Sequence, residues 1–362
     1  MAVYTTIDDP SVYFQNKTYT GNGSTQSITL DGDTDLQPDL LWIKCRGATE
    51  LHTWVDSVRG DSTSNTGYYY FDTSTTGAEQ AHSGNTLVDA ITSDGFNIGN
   101  NDQVNLNTGS FVAWAWKAGT TSGITTDGST DITPSAYSFN ATSRISIVKY
   151  AGATTAGQLA HGLGTTPTFH IIKKTSGTGN WQVYSKAVGN TATLTLNEDY
   201  APDANAYYYN NTDPDSVNIT LGSGSSNTSV NTSGQTYMCY SFADVQGFSK
   251  VSGAYTGNGN ADGPFLFCGF RPSWFMTKRT ATTGAWRIRD VKREPGQPLD
   301  APLYANTNIA QNDGDNDWDV VSNGLKMRGS GTGENASGGT YIYAAFAEAP
   351  LVNSNGVPCN AR

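Results

Sequence analysis

The chain has 362 residues, with 40 glycines, 19 tyrosines and 8 tryptophans against only 15% charged residues. That is the profile of many short strands joined by turns, spread over more than one domain. A net charge of −11 argues against the clustered Lys and Arg of a nucleic-acid groove, so no nucleic-acid partner is expected. No run approaches the ~18 apolar residues of a membrane span, and MAVYTTIDDP has neither the basic nor the apolar region of a secretory leader, so no membrane insertion and no signal peptide are expected.

In chain order, the first unit opens at YTGNG (Tyr19–Gly23). It continues through Pro38 into the strand-like LLWIKCR (Leu40–Arg46), then HTWVD (His52–Asp56), SDGFNIG (Ser93–Gly99) and VNLNTGSFVAWAWKA (Val104–Ala118). In LLWIKCR the period of two puts Leu41, Ile43 and Cys45 on an inward face and Trp42, Lys44 and Arg46 on the outer one. Gly119–Pro134 is Gly, Ser and Thr-rich and reads as a linker. A second unit follows from Tyr150, with Pro167, FHIIKK (Phe169–Lys174), NWQVY (Asn180–Tyr184), SVNITLG (Ser216–Gly222) and VNTSGQTYMCYSFAD (Val230–Asp244). The third begins at the second YTGNG (Tyr255–Gly259), with Pro272, SWFMTKR (Ser273–Arg279), GAWRIRD (Gly284–Asp290), SNGLKMRG (Ser322–Gly329) and ENASGGTYIYAAFAE (Glu334–Glu348).

Two landmarks set the repeat. Pro38, Pro167 and Pro272 lie 129 and 105 residues apart, and Gly109, Gly234 and Gly338 lie 125 and 104 apart. Each unit of roughly 100 residues is long enough to own a core. Alternation in GTYIYAAFAE sets Tyr341, Tyr343 and Ala345 against Ile342, Ala344 and Phe346, as in a strand, and no segment sustains a helical period. The expectation is an all-β chain of three tandem antiparallel β-sandwiches of jelly-roll type. The units are 1–118, 143–249 and 250–349, with a linker at 119–142 and a tail at 350–362.

The string P-x-x-x-W-I-K-x-R at Pro38–Arg46, HTWVDSVRG at His52–Gly60, SDGF at Ser93–Phe96, the stretch Asn105–Lys117 and the ending FAEAPLVNSNGVPCNAR (Phe346–Arg362) resemble a family abundant in marine bacteriophage genomes. Its members are labelled phage structural or tail-fibre proteins, with domains similar to concanavalin A-like lectin/glucanase sandwiches. The resemblance implies a virion protein made in the host cytoplasm, part of a tail fibre or the particle surface. Partners would be other virion proteins, further copies in a homo-oligomer, and host surface glycans. Capsid decoration is the nearest variant; a polysaccharide-degrading depolymerase is the rival.

Candidate contact residues are the tyrosine runs Tyr68, Tyr69, Tyr70 and Tyr207, Tyr208, Tyr209, since three consecutive tyrosines in a strand point at least one ring outward. Trp54, Trp181 and Trp286, placed 16, 14 and 14 residues after the aligned prolines, read as equivalent packing residues, and Trp114 and Trp116 as one face of a strand. Alternating acids at Asp31, Asp33 and Asp35 and at Asp313, Asp315, Asp317 and Asp319 could offer calcium oxygen ligands but lack the glutamate of an EF-hand loop. A solvated acidic turn is the reading preferred, and no cofactor is expected. Cys45, Cys239, Cys268 and Cys359 lack C-x-x-C spacing and read as free thiols. His52, His82, His161 and His170 sit in no hydrolase motif, and no E-x-D-x-x-E string occurs, so no catalytic residue is assigned.

Overall fold

The computed structural model describes residues 4–60, 67–81, 84, 86–223, 230–312 and 317–359. In the first repeat the strands are β1 (Phe14–Thr20), β2 (Gln26–Thr29), β3 (Leu40–Cys45), β4 (Thr53–Asp56), β5 (Tyr70–Phe71), β6 (Val88–Thr92), β7 (Gly95–Ile98) and β8 (Ser110–Trp116). In the second they are β9 (Ala136–Asn140), β10 (Ile145–Ala151), β11 (Gly157–Ala160), β12 (Phe169–Lys174), β13 (Gln182–Ser185), β14 (Ala192–Thr195), β15 (Asp203–Ala204), β16 (Asn218–Leu221) and β17 (Thr236–Phe242). The third carries β18 (Ser249–Thr256), β19 (Phe265–Phe267), β20 (Phe270–Arg279), β21 (Arg287–Asp290), β22 (Leu303–Tyr304), β23 (Trp318–Val321), β24 (Gly324–Met327) and β25 (Thr340–Pro350). Single helical turns stand at α1 (Asp102–Asn105), α2 (Ala206–Tyr209) and α3 (Thr332–Asn335).

The protein is all-β, and its sheets are antiparallel. One strand order recurs in three large sheets: β1-β8-β3-β4-β5, β10-β17-β12-β13-β14 and β18-β25-β20-β21-β22. The second is extended at its ends by β9 and β15. Facing each is a small sheet, β2-β7-β6, β11-β16 or β19-β24-β23.

Alternation along the strands divides their side chains between two kinds of core. Leu41, Ile43 and Cys45 pack as expected between large and small sheet, with Ile28, Phe96 and Ile98 opposite. Corresponding cores in the other repeats hold Ile172, Cys239 and Leu221, and Phe275, Ala345 and Leu325. The other face differs from expectation. Trp42 is buried, and it joins a core common to all three large sheets, with Trp54, Trp181, Tyr240, Trp274 and Trp286. Rings meet across the repeats: Trp54 lies 5.5 Å from Trp181 and 5.0 Å from Tyr240, and Phe14 stacks on Phe346 at 5.2 Å. The predicted alternation in β25 holds, with Ile342, Ala344 and Phe346 in the common core and Tyr343 and Ala345 in the local one.

Repeated turns have a repeated cause. A Cβ on Gly21, Gly152 or Gly257 would clash with the carbonyl oxygen of Leu106, Thr232 or Ala336. The preceding tyrosines stack on the last strand of each repeat, Tyr19 on Phe111, Tyr150 on Tyr237 and Tyr255 on Tyr341, at 4.8 to 5.2 Å. Their hydroxyls donate to the carbonyls of Val104, Val230 and Glu334. Buried Asn105, Asn231 and Asn335 accept from the backbone N–H of Asn22, Ala153 and Asn258.

Within the stretch expected as a linker, residues 136–140 form β9. Thr120 bridges Phe139, and Ile132 bridges Leu159 of β11 in parallel. Buried Ile132 supplies the apolar contact that holds the segment down. In the tail, Ser354 bonds Asp8 through its backbone N–H at 2.6 Å, so the tail packs back on the segment that precedes β1.

Candidate functional site

Register corrects one assignment from spacing. Trp42 pairs with Trp54, Ile171 with Val183 and Met276 with Ile288. Trp54 is therefore equivalent to Val183 and Ile288, and the residue matching Trp181 and Trp286 is His52. All three lie 14 residues after the aligned prolines. They do the same work: His52 Nε2 reaches the carbonyls of Tyr304 and Thr307, Trp181 Nε1 donates to Thr75, and Trp286 Nε1 donates to Thr195. Each bond runs to the neighbouring repeat, first to third, second to first and third to second. Trp42 Nε1 donates to His52 Nδ1 at 2.8 Å, which fixes the His52 proton on Nε2.

Buried Lys44, Lys173 and Lys278 follow the same cycle. Their ammonium groups donate to Asn308, to Thr76, and to Asp199 and Tyr200, each carbonyl again in the neighbouring repeat. Burial lowers these amines to about 8, about 7 and about 8. Tyr240 donates to Asp56, and Trp114 to Asp290. Those carboxylates also hold Arg59 at 2.5 Å and Arg293 at 2.6 Å. The residues that carried the sequence resemblance, Trp42, Lys44, His52, Trp54, Asp56 and Arg59, are thus buried at the junction of the sheets.

The tyrosine runs divide differently from expectation. Tyr70 belongs to β5 and donates to Gln80 at 3.0 Å, while Tyr68 and Tyr70 lie partly buried against the first local core. Tyr69 is half-buried. Tyr207, Tyr208 and Tyr209 are no strand. Asn205 caps a single helical turn and Asn210 ends it in the left-handed region at φ 50°. Only Tyr207 is presented, at 54% exposure, whereas Tyr208 and Tyr209 are core residues. Asp313, Asp315 and His82 lie outside the described residues. Among the described residues, Asp317 included, no group of three His, Cys, Asp or Glu side chains could hold a metal ion. Cys45, Cys239 and Cys268 are buried free thiols and Cys359 is exposed.

Sequence reasoning missed the exposed residues that the structure sets out. Tyr200 matches Tyr207 at 54%, and its backbone is pinned where its carbonyl accepts from Lys278 and the adjacent Asp199 carbonyl accepts from Gly284. Phe265 and Phe267 are exposed at 47% and 58% on β19, with Leu266 between them pointing inward. The signal was present in the alternation of PFLFCG, which puts two phenylalanines on the face away from a buried leucine.

Grooves run between the repeats. One of about 710 Å³, between the first and second, is lined by Gln37, Ser57, Lys117, Tyr137 and Ser138. Asp39 at its base accepts from Ser57, Ala118 and Ser138 and so ties the two repeats together. A second of about 600 Å³, between the second and third, is lined by Val188, Pro202, Thr256, Thr280 and Thr340. Hydroxyls, amides and small apolar groups dominate both. Burial lowers the imidazoles of His52, His161 and His170 to about 3, about 4 and about 3, so these rings stay neutral inside the protein.

A family model described as "Domain of unknown function (DUF7483)" matches residues 9–350. The chain belongs to the DUF7483 family. The matched span runs from the approach to β1 to the end of β25, so the family's unit is the whole three-repeat body. No curated protein and no solved structure matches the chain.

Proposed function

We propose that this DUF7483 protein is a non-catalytic component of a bacteriophage virion, on a tail fibre or the particle surface, that contacts host surface glycans or neighbouring virion proteins. In this reading each pair of large and small sheets is a jelly-roll unit, and three such units stand in tandem around their common core. The observation that carries the contact role is the presentation of Tyr200 and Tyr207. Both rings are more than half exposed, and the backbone beneath each is held by hydrogen bonds. Rigid aromatic rings on fixed backbone suit stacking on sugar rings or packing on a protein neighbour, because little side-chain freedom is lost on binding. The groove between the second and third repeats, lined by Pro202 and Ala204 of the same segment and by Thr256, Thr280 and Thr340, offers hydroxyl donors and acceptors for sugar hydroxyls.

Purified protein is expected to bind host cells or a glycan array, and Tyr200→Ser with Tyr207→Ser to abolish that binding while leaving the melting temperature unchanged. Undiminished binding by the double variant would refute the contact assignment. Release of reducing sugar from host envelope polysaccharide would refute the non-catalytic assignment. Antibody labelling of intact particles by electron microscopy distinguishes fibre from capsid surface, and absence of label from particles would refute the virion role.

A further inference from the structure

The three small sheets have equivalent edge strands, β2, β11 and β19, and the chain treats each edge differently. Antiparallel strands direct alternate residues' N–H and C=O groups toward and away from their partner. In the second repeat, His161 N–H donates to Val217, so the ladder assigns Leu159 to β16 and turns Gln158 and Ala160 to the outer edge. That edge is filled by the chain itself. Asp131 and Ile132 donate their N–H groups to the Gln158 carbonyl, at 3.0 and 2.9 Å. The Asp131 carboxylate accepts from Gln158 N–H at 2.9 Å, and the Ile132 carbonyl accepts from Ala160 N–H. The segment lies parallel to β11 and sinks Ile132 into the local core.

In the third repeat Met327 N–H donates to Pro264 and Cys268 N–H to Asn323, so Leu266 faces β24 and the outer edge belongs to Phe265 and Phe267. The Phe267 carbonyl accepts from Tyr343. Among the described residues, the groups left facing outward are Phe265 N–H, Phe265 C=O and Phe267 N–H, the same three that Asp131 and Ile132 occupy on β11. In the first repeat the matching residues are Ser27 and Thr29, both exposed and polar. An uncovered edge with polar side chains is solvated, but one with two exposed phenylalanines is a template for strand addition. Nearby charges are paired off, Lys326 with Asp262 and Arg328 with Asp319, so the patch selects by shape and hydrogen bonds.

We propose that the edge of β19 is a docking site for an extended segment of a partner protein, which adds parallel to it as 131–132 adds to β11. The repeat specifies the chemistry of that segment: an acceptor side chain such as Asp, to take Phe265 N–H, followed by a branched apolar residue. Affinity comes from main-chain bonds and specificity from the phenylalanine rings, as in β-augmentation generally.

The test uses the full chain and a fluorescein-labelled peptide of residues 124–135 of this sequence, since its own copy already fills β11. Anisotropy is expected to show saturable binding, weakened at least tenfold by Phe265→Ser with Phe267→Thr, which installs the residue types of the first repeat. A peptide with Ile132→Gly is expected to bind at least tenfold more weakly. Hydrogen exchange at the Phe265 and Phe267 amides should slow when peptide is bound. No saturation at millimolar peptide, or equal binding by the double variant, would overturn the proposal. So would a dimer in sedimentation that the double variant abolishes, because it would assign the edge to a second copy.

Discussion

Acidification is expected to destabilise the protein well before its carboxylates protonate. His52, His161 and His170 are fully buried, and burial keeps them neutral until about pH 3 to 4, against an ordinary value of 6.5. Between those limits the unfolded chain binds more protons than the folded one. Stability from this source is therefore fully present above about pH 6.5 and drains away as pH falls. A pH of about 5 lies roughly one and a half units below the ordinary imidazole value, so keeping a folded ring neutral there costs about 2 kcal/mol per histidine. Three such groups remove about 6 kcal/mol, comparable with the whole stability of a typical domain. Urea unfolding at about pH 7.5 and about pH 5 measures this difference directly. His170 isolates one contribution: among the described residues its ring nitrogens have no hydrogen-bond partner, and it stacks on Tyr184 at 4.7 Å. His170→Phe is expected to keep the stack and to shrink the pH difference by about 2 kcal/mol. An unchanged difference in that variant would refute the reasoning.

The buried lysines act in the same direction at higher pH. Their folded amines titrate at about 7 to 8, below the ordinary 10.5, so stability rises with pH from about 7 to about 9, and Lys173→Met should flatten urea midpoints across that range. In the third repeat, buried Glu334 is raised by burial, but Arg289 and Arg287 outweigh it and hold it below the ordinary range. Arg289→Val alone should cost about 3–5 kcal/mol by stranding the carboxylate. Adding Glu334→Val, which copies the first repeat's Val55 and Val104, should restore most of it in a double-mutant cycle; no restoration would contradict the pairing. Gly257→Ala should lower stability by about 2 kcal/mol or more because its Cβ meets the Ala336 carbonyl. Gly234→Ala, at φ 75° in open space, should cost about 1 kcal/mol. The common core predicts one calorimetric transition for the whole chain, shifted bodily by Trp54→Ala at a cost of about 3–5 kcal/mol; separate transitions would show that the repeats unfold independently.

How far the sequence could be read depended on what kind of force set each feature. The alternation of β3 and β25 was legible because period-two burial is local. What covers the outer face of a strand is not local. Trp42 was placed outside by the same alternation that placed Leu41 inside, and nothing in LLWIKCR announces that another sheet waits there. Spacing from the prolines puts the tryptophans at 16, 14 and 14, and only the strand register shows that His52, at 14 in the first repeat, is the counterpart of Trp181 and Trp286. The Tyr207–Tyr209 run reads as a strand because tyrosine favours one, while Asn205 and Asn210, with four residues between them, are the caps of a turn. Ile132 was the signal in the supposed linker, a branched apolar residue in a polar run. The exposed phenylalanines of β19 were written in plain alternation, but their meaning required the two equivalent edges for comparison.

The common core has a consequence for how such a body can change. A trimer of identical chains must accept every substitution three times, once on each face. Here one chain supplies all three faces, so a mutation on one leaves the other two as they were. The buried cycle of His52, Trp181 and Trp286 holds the faces together through hydrogen bonds from each repeat to its neighbour, so each face can differ without breaking it. One edge could turn polar, one could be sealed by its own chain, and one could acquire phenylalanines. A single chain leaves the molecule free to be asymmetric on the outside while one strand order recurs in the three large sheets around its centre.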